Sequence, residues 1–293
     1  MKHIILLLII VCFGLCMKAQ HNSDYIQYMF NGLLVNPAYA GSQEAMNITA
    51  MYRKQWLGLN GSPSDAMLTA HSPLKNKSVN LGFIVMNDCF GVYNHTNASL
   101  VYAYRVRLGK GKLALGLQAG FDSYSTNWNQ IRTTDAGDPN FVPTASRQIN
   151  PIAGTGVYYN TKNFYIGIAA PNLFNGQINP GTIINLTSGV VIKAGDDFRI
   201  KPALLIKRIS GSPVEANLSS TFYYKDIIGL GVGYTYNSSA VAYIDIRLTE
   251  QLNFGYGYSY TLNELNAYSY GSHEIMLRYL FRYRINAVNA RFF

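Results

Sequence analysis

The segment IGLGVGYTY, residues 228–236, gives the clearest indication of how this chain folds. Its residues alternate between an apolar row, namely Ile228, Leu230, Val232, Tyr234 and Tyr236, and a row of small residues, namely Gly229, Gly231, Gly233 and Thr235. A period of two predicts a β-strand with two unlike faces. A soluble β-sandwich would cover its solvent face with charge, whereas here the second row is glycine and threonine. The segment therefore predicts a strand with lipid on its apolar face and a barrel interior on the other.

The same alternation recurs along the chain after residue 45. Including 228–236, about 14 segments show it, and most approach the roughly 9–11 residues that a tilted strand needs to cross a bilayer. The others are 47–56, 65–71, 79–86, 98–108, 112–122, 152–160, 164–170, 186–194, 198–209, 214–224, 240–248, 252–260 and 273–281. We predict an all-β fold, a transmembrane antiparallel β-barrel of about 14 strands. It must close, because an open edge in hydrocarbon leaves backbone groups without partners.

The composition agrees with a barrel. Of the 293 residues 48% are hydrophobic and only 13% are charged, whereas charged residues make up about a quarter of a soluble domain. The chain has 23 tyrosines, and several of them gather at strand ends, as an interfacial girdle requires. After residue 15 no run of about 18 apolar residues predicts a membrane helix. A soluble secreted β protein or hydrolase remains an alternative, which heat-modifiable mobility in detergent gels would exclude.

The first residues predict export. Lys2 and His3 precede an apolar core at 4–13, and the small residue Ala19 offers a cleavage site, so 1–19 is predicted to be a signal peptide. We expect an irregular N-terminal segment at 20–45, periplasmic or lumenal, and an outer-membrane barrel at 46–293. The mature chain keeps Cys89 alone of the three cysteines, so no internal disulfide can form.

The connections between predicted strands fall into two alternating sets. One set is mostly short: 109–111, 161–163, 195–197, 225–226 and 249–251, with 72–78 somewhat longer. The other set includes the longer loops 57–64, 87–94, 127–150, 171–185 and 261–272, with 210–213 and 237–239 as exceptions. Outer-membrane barrels have short periplasmic turns and long external loops. This arrangement predicts that both chain ends lie on the short-turn side.

Sequence motifs for catalysis are absent. There is no Gly-x-Ser-x-Gly elbow, no His-Glu-x-x-His and no phosphate-binding loop, so no enzyme and no cofactor is expected. Asp135, Asp138 and Asn140 lie close enough in sequence for a calcium site, although such a cluster is more often turn chemistry.

Basic residues are predicted to point into the lumen. Two interpretations remain open: the lipid face rejects charge at about 2–4 kcal/mol per residue at midplane, or a positive lumen attracts anions or an acidic polypeptide. Nucleic-acid binding is not expected, because the positive charge is dispersed among strands. The candidates are Arg105, Arg107, Lys112, Arg199, Lys201, Arg247 and Arg278.

Several short motifs carry a resemblance to a known family. The sequence reads Gln27-Tyr28-Met29-Phe30-Asn31, Asn36-Pro37-Ala38-Tyr39-Ala40-Gly41-Ser42, then Arg53-x-Gln55-Trp56-x-Gly58, His71-Ser72-Pro73 and, near the end, Gly271-Ser272-His273-Glu274. This set resembles the PorP/SprF family of type IX secretion system outer-membrane proteins of Bacteroidota, over essentially the whole mature chain. These motif residues are our candidates for family-specific or partner contacts.

The resemblance implies a non-enzymatic outer-membrane component that engages exported cargo, such as surface or gliding adhesins, and the periplasmic machinery. Expected partners are outer-membrane lipid, the secretion machinery and its cargo protein, with no small-molecule substrate. The alternative is a passive porin or small-molecule transporter with a basic lumen.

The residues allow two interpretations of the N-terminal segment. Tyr28, Phe30 and Tyr39 are predicted aromatic anchors, and the segment either braces the barrel mouth or offers a handle to a periplasmic partner. Residue 36, which precedes a proline, should be extended, and Gly41 allows a positive φ before the first strand. Trp56 and Gly58 should lie where the first strand meets its outer loop, and His273 is placed where it could hydrogen-bond across the barrel seam.

Overall fold

The computed structural model describes residues 25–127, 146–173 and 181–281. The predicted signal peptide, the acidic cluster at Asp135, Asp138 and Asn140, and the C-terminal residues 282–293 lie outside the described residues.

Within the described residues, antiparallel strands form a closed barrel. Each strand pairs with the next along the chain, except that β8 and β9 both pair with β10. β15 returns to β1 with a register that runs from Met46 opposite Phe281 to Lys54 opposite His273. The strands are β1 Met46–Lys54, β2 Ser64–Pro73, β3 Val79–Phe90, β4 Tyr93–Leu108, β5 Gly111–Thr126, β6 Ser146–Asn160, β7 Phe164–Asn172, β8 Ile183–Val190, β9 Ile192–Lys193, β10 Phe198–Ile209, β11 Glu215–Tyr224, β12 Ile228–Thr235, β13 Ser239–Arg247, β14 Leu252–Thr261 and β15 Ser272–Phe281.

The wall of the barrel consists of 14 strands, as predicted. The short strand β9 continues β8 along the same edge of β10, so the two count as one member of the barrel. One predicted loop is wrong: residues 87–94 are mostly strand, because β3 and β4 pair as far as Phe90 opposite Tyr93. The alternation of residue types weakens there, although the backbone pairing continues.

The two faces of the wall have the predicted characters. Outward side chains such as Leu100 and Val232 are 73% and 64% exposed, while inward polar neighbours such as Ser99 and Thr221 are buried. An exposed apolar band on a closed barrel is the surface expected to face hydrocarbon. No helix in the described ranges is long and apolar enough to cross a bilayer.

The N-terminal segment, residues 25–43, fills the lumen. Three short 3₁₀ turns, Tyr28–Phe30, Gly32–Leu34 and Pro37–Tyr39, bury most of its side chains in the main core cluster. Its first described residue lies on the long-loop side, since the Tyr25 hydroxyl donates to Met86 Sδ at 2.9 Å. β15 ends on the short-turn side, as expected, but the described chain begins on the opposite side of the lumen, because the segment runs the length of the barrel interior.

Candidate functional site

Basic and amide side chains of the wall hold the carbonyl groups of the N-terminal segment. Lys201 Nζ donates to Met29 O at 3.4 Å, and Arg278 Nη1 donates to Phe30 O at 3.2 Å. Arg105 Nη2 donates to Ala38 O at 3.3 Å and to Ala40 O at 3.5 Å, and Asn185 Nδ2 donates to Val35 O at 2.9 Å. Short 3₁₀ turns leave carbonyls without internal partners, so these donors satisfy buried acceptors.

Acceptors of the wall hold the backbone N–H groups of the same segment. Glu274 is fully buried and accepts from Ile26 N and from Gln27 N, each at 2.9 Å. His71 Nδ1 accepts from Gly41 N at 3.2 Å. Cationic groups thus meet the carbonyls and a carboxylate meets the N–H groups, so the lumen wall complements the polarity of the segment along its length.

Aromatic rings anchor the segment between these polar contacts. The Phe30 ring meets Tyr243 edge-on at 5.7 Å between centroids, and its face lies 5.4 Å from the Arg278 guanidinium carbon. Tyr39 packs edge-on against Tyr158 at 5.5 Å and against His71 at 5.6 Å. Such pairs add roughly 0.5–1.5 kcal/mol each beyond the area they bury.

The glycines of the inward row make room for the segment. A Cβ at Gly116 would overlap the backbone of Ala38, and one at Gly255 would overlap the Gln27 amide. These two glycines let the wall approach the segment closely, whereas Cβ atoms at Gly229 and Gly231 would meet the Tyr223 and Tyr243 rings of the wall itself.

The motif at Asn36 shapes the third 3₁₀ turn of the segment. Asn36 is extended, with φ −153°, and its side chain accepts from Ala38 N at 2.9 Å, which caps the Pro37–Tyr39 turn. Its amide also donates to Val157 O at 2.9 Å, and Asn31 Nδ2 donates to Thr69 Oγ1 at 3.0 Å. Gly41 has φ +71°, where the chain turns towards β1.

An ion-pair cluster fixes the segment where it leaves the lumen. The Glu44 carboxylate contacts Lys112 Nζ and lies 3.4 Å from Lys77 Nζ. Partial burial raises the pKa of Glu44, but the hydrogen bond and charge of Lys112, together with Lys77, outweigh burial and leave the pKa below its usual value of 4.5. Glu44 is therefore held in its charged form.

The predicted lumen cations divide into two groups. Three of them, Arg105, Lys201 and Arg278, are buried and hold the segment. Arg278 Nη2 also lies 3.4 Å from Asp245 Oδ1. Arg107, Lys112, Arg199 and Arg247 lie towards the short-turn side, where Arg199 pairs with Asp226. The buried cations therefore donate to carbonyl groups of the protein itself.

The motif Arg53-x-Gln55-Trp56-x-Gly58 lies at the seam between β1 and β15. Arg53 is buried in register between Asp65 of β2 and Glu274 of β15. The Gln55 amide donates to Asp65 Oδ2 at 3.1 Å. Trp56 N donates to Ser272 Oγ at 3.2 Å, and Gly58, with φ +99°, lies against the Tyr270 ring. The motif therefore joins the first outer loop to the last one.

His273 does not reach across the seam. Its Nδ1 lies 2.7 Å from the Tyr256 hydroxyl of β14, although its register partner across the seam is Lys54. The prediction was wrong because residue 273 has outward parity, on the apolar side of the wall, where a tyrosine of the neighbouring strand is the nearest polar group.

A cavity opens above the N-terminal segment on the long-loop side; we call it the long-loop cavity. Its volume is about 480 Å³, and Tyr28, Leu34 and Val35 of the segment form its floor. The wall around it comes from the loop-side ends of the strands and carries aromatic, amide and charged side chains. Sequence reasoning did not find this cavity.

The wall of this cavity carries a histidine between two carboxylates. His95 Nδ1 lies 3.2 Å from Asp88 Oδ2, and its Nε2 lies 2.9 Å from Asp122 Oδ1. The Tyr124 ring stacks on the imidazole at 4.4 Å. Because both ring nitrogens are engaged, the imidazole has no nitrogen left to exchange a proton with a substrate. No group of three or more metal-ligating side chains in the described ranges is arranged to hold a metal ion.

The sequence matches a known family over residues 17–279, described as the type IX secretion system membrane protein PorP/SprF. The chain belongs to the PorP/SprF family. It is accordingly a membrane component of the type IX secretion system. Among curated proteins, nothing matches the chain at a significant level.

Solved outer-membrane barrels share the fold of this PorP/SprF protein. The Ralstonia pickettii toluene transporter TbuX superposes with a TM-score of 0.54 at 10% identity, covering 87% of this chain and 94% of the transporter. The monoaromatic hydrocarbon channel CymD superposes with a TM-score of 0.53 at 13% identity, covering 92% of this chain and 96% of the channel. At these identities the likeness shows the fold, an outer-membrane barrel.

Proposed function

We propose that this PorP/SprF protein is a non-enzymatic outer-membrane component that engages exported cargo on its long-loop side and the periplasmic machinery on its short-turn side. One observation carries the proposal: residues 25–43 occupy the lumen, so the barrel presents a cavity to one side and a filled floor to the other. A surface that receives a partner fits this arrangement better than a conduit. We also propose that residues 1–19 are removed and that the barrel inserts from the periplasm.

The alternative of passive transport receives less support. Solute passage would require the segment to leave contacts with Arg105, Lys201, Arg278 and Glu274, all of them buried. Each hydrogen bond to a charged group is worth roughly 1.5–3 kcal/mol. Three of the basic residues predicted to line the lumen, Arg105, Lys201 and Arg278, donate to backbone carbonyls instead.

Site-specific crosslinking tests the two faces separately. A photo-crosslinking amino acid at Tyr93, which lines the mouth of the long-loop cavity, should capture a secreted protein in cells. The same group at Lys110, in the short turn between β4 and β5, should capture a periplasmic component of the secretion machinery. A matched probe at Leu117, on the outward face of β5 and 59% exposed, should capture neither.

The outcomes are distinct. Adducts with secreted cargo at Tyr93 and with machinery at Lys110 support the proposal. Equal capture at Leu117, or no protein adduct at either test position, contradicts it. Steady conductance of the wild-type protein in planar bilayers would favour the transport alternative.

A further inference from the structure

Six short turns form the rim of the barrel on the short-turn side, and their charges are unevenly distributed. Three consecutive turns join β2 to β3, β4 to β5 and β6 to β7; we call them the basic arc. The other three turns join β9 to β10, β11 to β12 and β13 to β14; we call them the mixed arc. Each arc includes the two strand residues on either side of its turns.

In the residues that the structure describes, the basic arc carries six cations and no carboxylate. Glu44, which precedes β1, contacts Lys112 and lies 3.4 Å from Lys77, so it offsets one of these charges. Lys162 lies in the turn between β6 and β7. The other three cations are exposed and form no ion pair within the described part of the chain, namely Lys75, Arg107 and Lys110.

The mixed arc carries four cations and four carboxylates, so its formal net charge is zero. Two ion pairs connect them: Arg199 contacts Asp226, and Lys225 Nζ lies 3.9 Å from Asp197 Oδ2. The surplus positive charge of the rim therefore lies on one side of the barrel. The cations of the mixed arc are Lys193, Arg199, Lys225 and Arg247, and its carboxylates are Asp196, Asp197, Asp226 and Glu250.

Folding alone does not favour the charges of the basic arc. Arg107 and Lys112 lie directly opposite each other in the register of β4 and β5. Like charges in opposite positions of an antiparallel pair destabilise it. Glu44 compensates for Lys112 but leaves Arg107 exposed beside it. An anionic partner outside this chain would relieve the remaining repulsion.

The position of the charge argues against phospholipid as that partner. Headgroups surround the whole barrel, whereas the surplus charge is confined to one arc. Arg107 and Lys112 also share the inward parity of Arg105, which donates to Ala38 O in the lumen. Their side chains start from the lumen face of the wall and not from the lipid face. A partner that covers one side of the rim from below fits these positions better.

We propose that the basic arc docks an acidic surface of a periplasmic protein of the secretion machinery. The inference rests on the proposed function, which places the machinery on this side, and it adds which turns bind and what chemistry they recognise. Strands lie about 4.8 Å apart, so neighbouring turns are about 10 Å apart, close to the screening length of about 8 Å at physiological ionic strength. An acidic surface that spans two turns therefore interacts with the cations of both, and opposite charge steers its approach.

Photo-crosslinking on the two arcs tests where the partner binds. Leu108, beside the turn between β4 and β5, and Ile227, in the turn between β11 and β12 on the far side of the ring, are 53% and 45% exposed. Both are uncharged, so a probe at either position leaves the charge of the rim unchanged. In cells, Leu108 should capture an identified machinery protein through peptides rich in aspartate and glutamate, and Ile227 should capture little of it.

Charge variants test the chemistry of the contact. Lys75→Gln/Lys110→Gln removes two exposed cations of the basic arc, and Lys193→Gln/Lys225→Gln is the matched control on the mixed arc. From the typical strength of exposed ion pairs, the first variant should lower the adduct yield at Leu108 about 2- to 30-fold. The control should leave the yield unchanged. Heat-modifiable gel mobility shows that each variant is folded.

The outcomes separate this inference from the proposed function. If machinery is captured equally at Leu108 and Ile227, the proposed function stands and the basic arc is not the docking surface. The same holds if the Lys75→Gln/Lys110→Gln variant loses nothing, or if both double variants lose the same yield. If neither position captures a machinery protein, or if Leu108 captures only phospholipid or peptidoglycan, both proposals fail on this side of the barrel.

Discussion

A substitution at Glu274 is the strongest test of the idea that the lumen wall holds residues 25–43 in place. We predict that Glu274→Gln keeps the barrel folded but loosens residues 25–43 from the wall. The carboxylate accepts from Ile26 N and Gln27 N, each at 2.9 Å, and a glutamine has one oxygen for these two donors. Its amide NH₂ would therefore face a backbone N–H, and the buried Arg53 in register across the seam would lose an anionic neighbour.

The size of the effect follows from the lost bond. A hydrogen bond to a charged group contributes roughly 1.5–3 kcal/mol. Since about 1.4 kcal/mol corresponds to a factor of ten, the ratio of displaced to seated segment should rise about 10- to 150-fold. The other contacts of the segment remain, so the seated state should still predominate.

Planar-bilayer recording measures this ratio through the frequency of transient openings, and limited proteolysis with mass spectrometry measures it through cleavage within residues 25–43. Glu264→Gln is the matched control, because Glu264 is exposed in the loop between β14 and β15. Unchanged opening frequency and unchanged cleavage in a folded Glu274→Gln protein would refute the idea that this carboxylate seats the segment.

Three further predictions address other contacts. The lowered pKa of Glu44 means that its ion pairs stabilise the fold fully above the unfolded value of 4.5. This contribution is lost as the pH falls through the lower, folded value. Thermal melting of Glu44→Gln should therefore differ from wild type at pH 7, and the difference should shrink as the pH is lowered below 4.5. Gly116→Val should displace the segment at a cost of about 1–3 kcal/mol, measured by denaturant unfolding. On intact cells, an impermeant maleimide should label Tyr268→Cys but not Lys110→Cys, both in a Cys89→Ser background.

Each of these has its own check. Ala119→Val, on the outward face of the same strand as Gly116, should leave stability nearly unchanged, and equal losses would mean that contact with the segment is not the cause. A pH-independent difference for Glu44→Gln would contradict the ion-pair explanation. Labelling of Lys110→Cys on intact cells would reverse the orientation of the barrel.

The strands could be predicted because their signal is local. The alternation of apolar and polar residues shows which side of the wall each residue faces. Because one side faces hydrocarbon, the sheet must close into a barrel. The hairpin of β3 and β4 was predicted too short because Asn87 and Asn94 look like loop residues. In the structure they lie on its outer face, where the Asn87 amide donates to Asn94 Oδ1 at 3.1 Å.

The filling of the lumen could not be predicted in the same way. Gln27 and Glu274 were both visible as motif residues, but nothing local indicates that residues 247 positions apart meet. The long-loop cavity was missed for a related reason. Its lining residues, such as Gln118 and Asn185, come from separate strands, and each alone looks like an ordinary inward polar residue.

The enclosed segment also constrains the order of assembly. β1 and β15 are the paired strands most distant in sequence. Because their pairing closes the longest loop and therefore costs the most chain entropy, it should form last. Residues 25–43 precede β1 and are surrounded by the finished ring. If they lay outside when the two ends zipped together, they would have to be threaded through a completed cylinder. Folding of the wall around these residues is the faster route, and Glu274 on the last strand would bind the segment as the barrel closes.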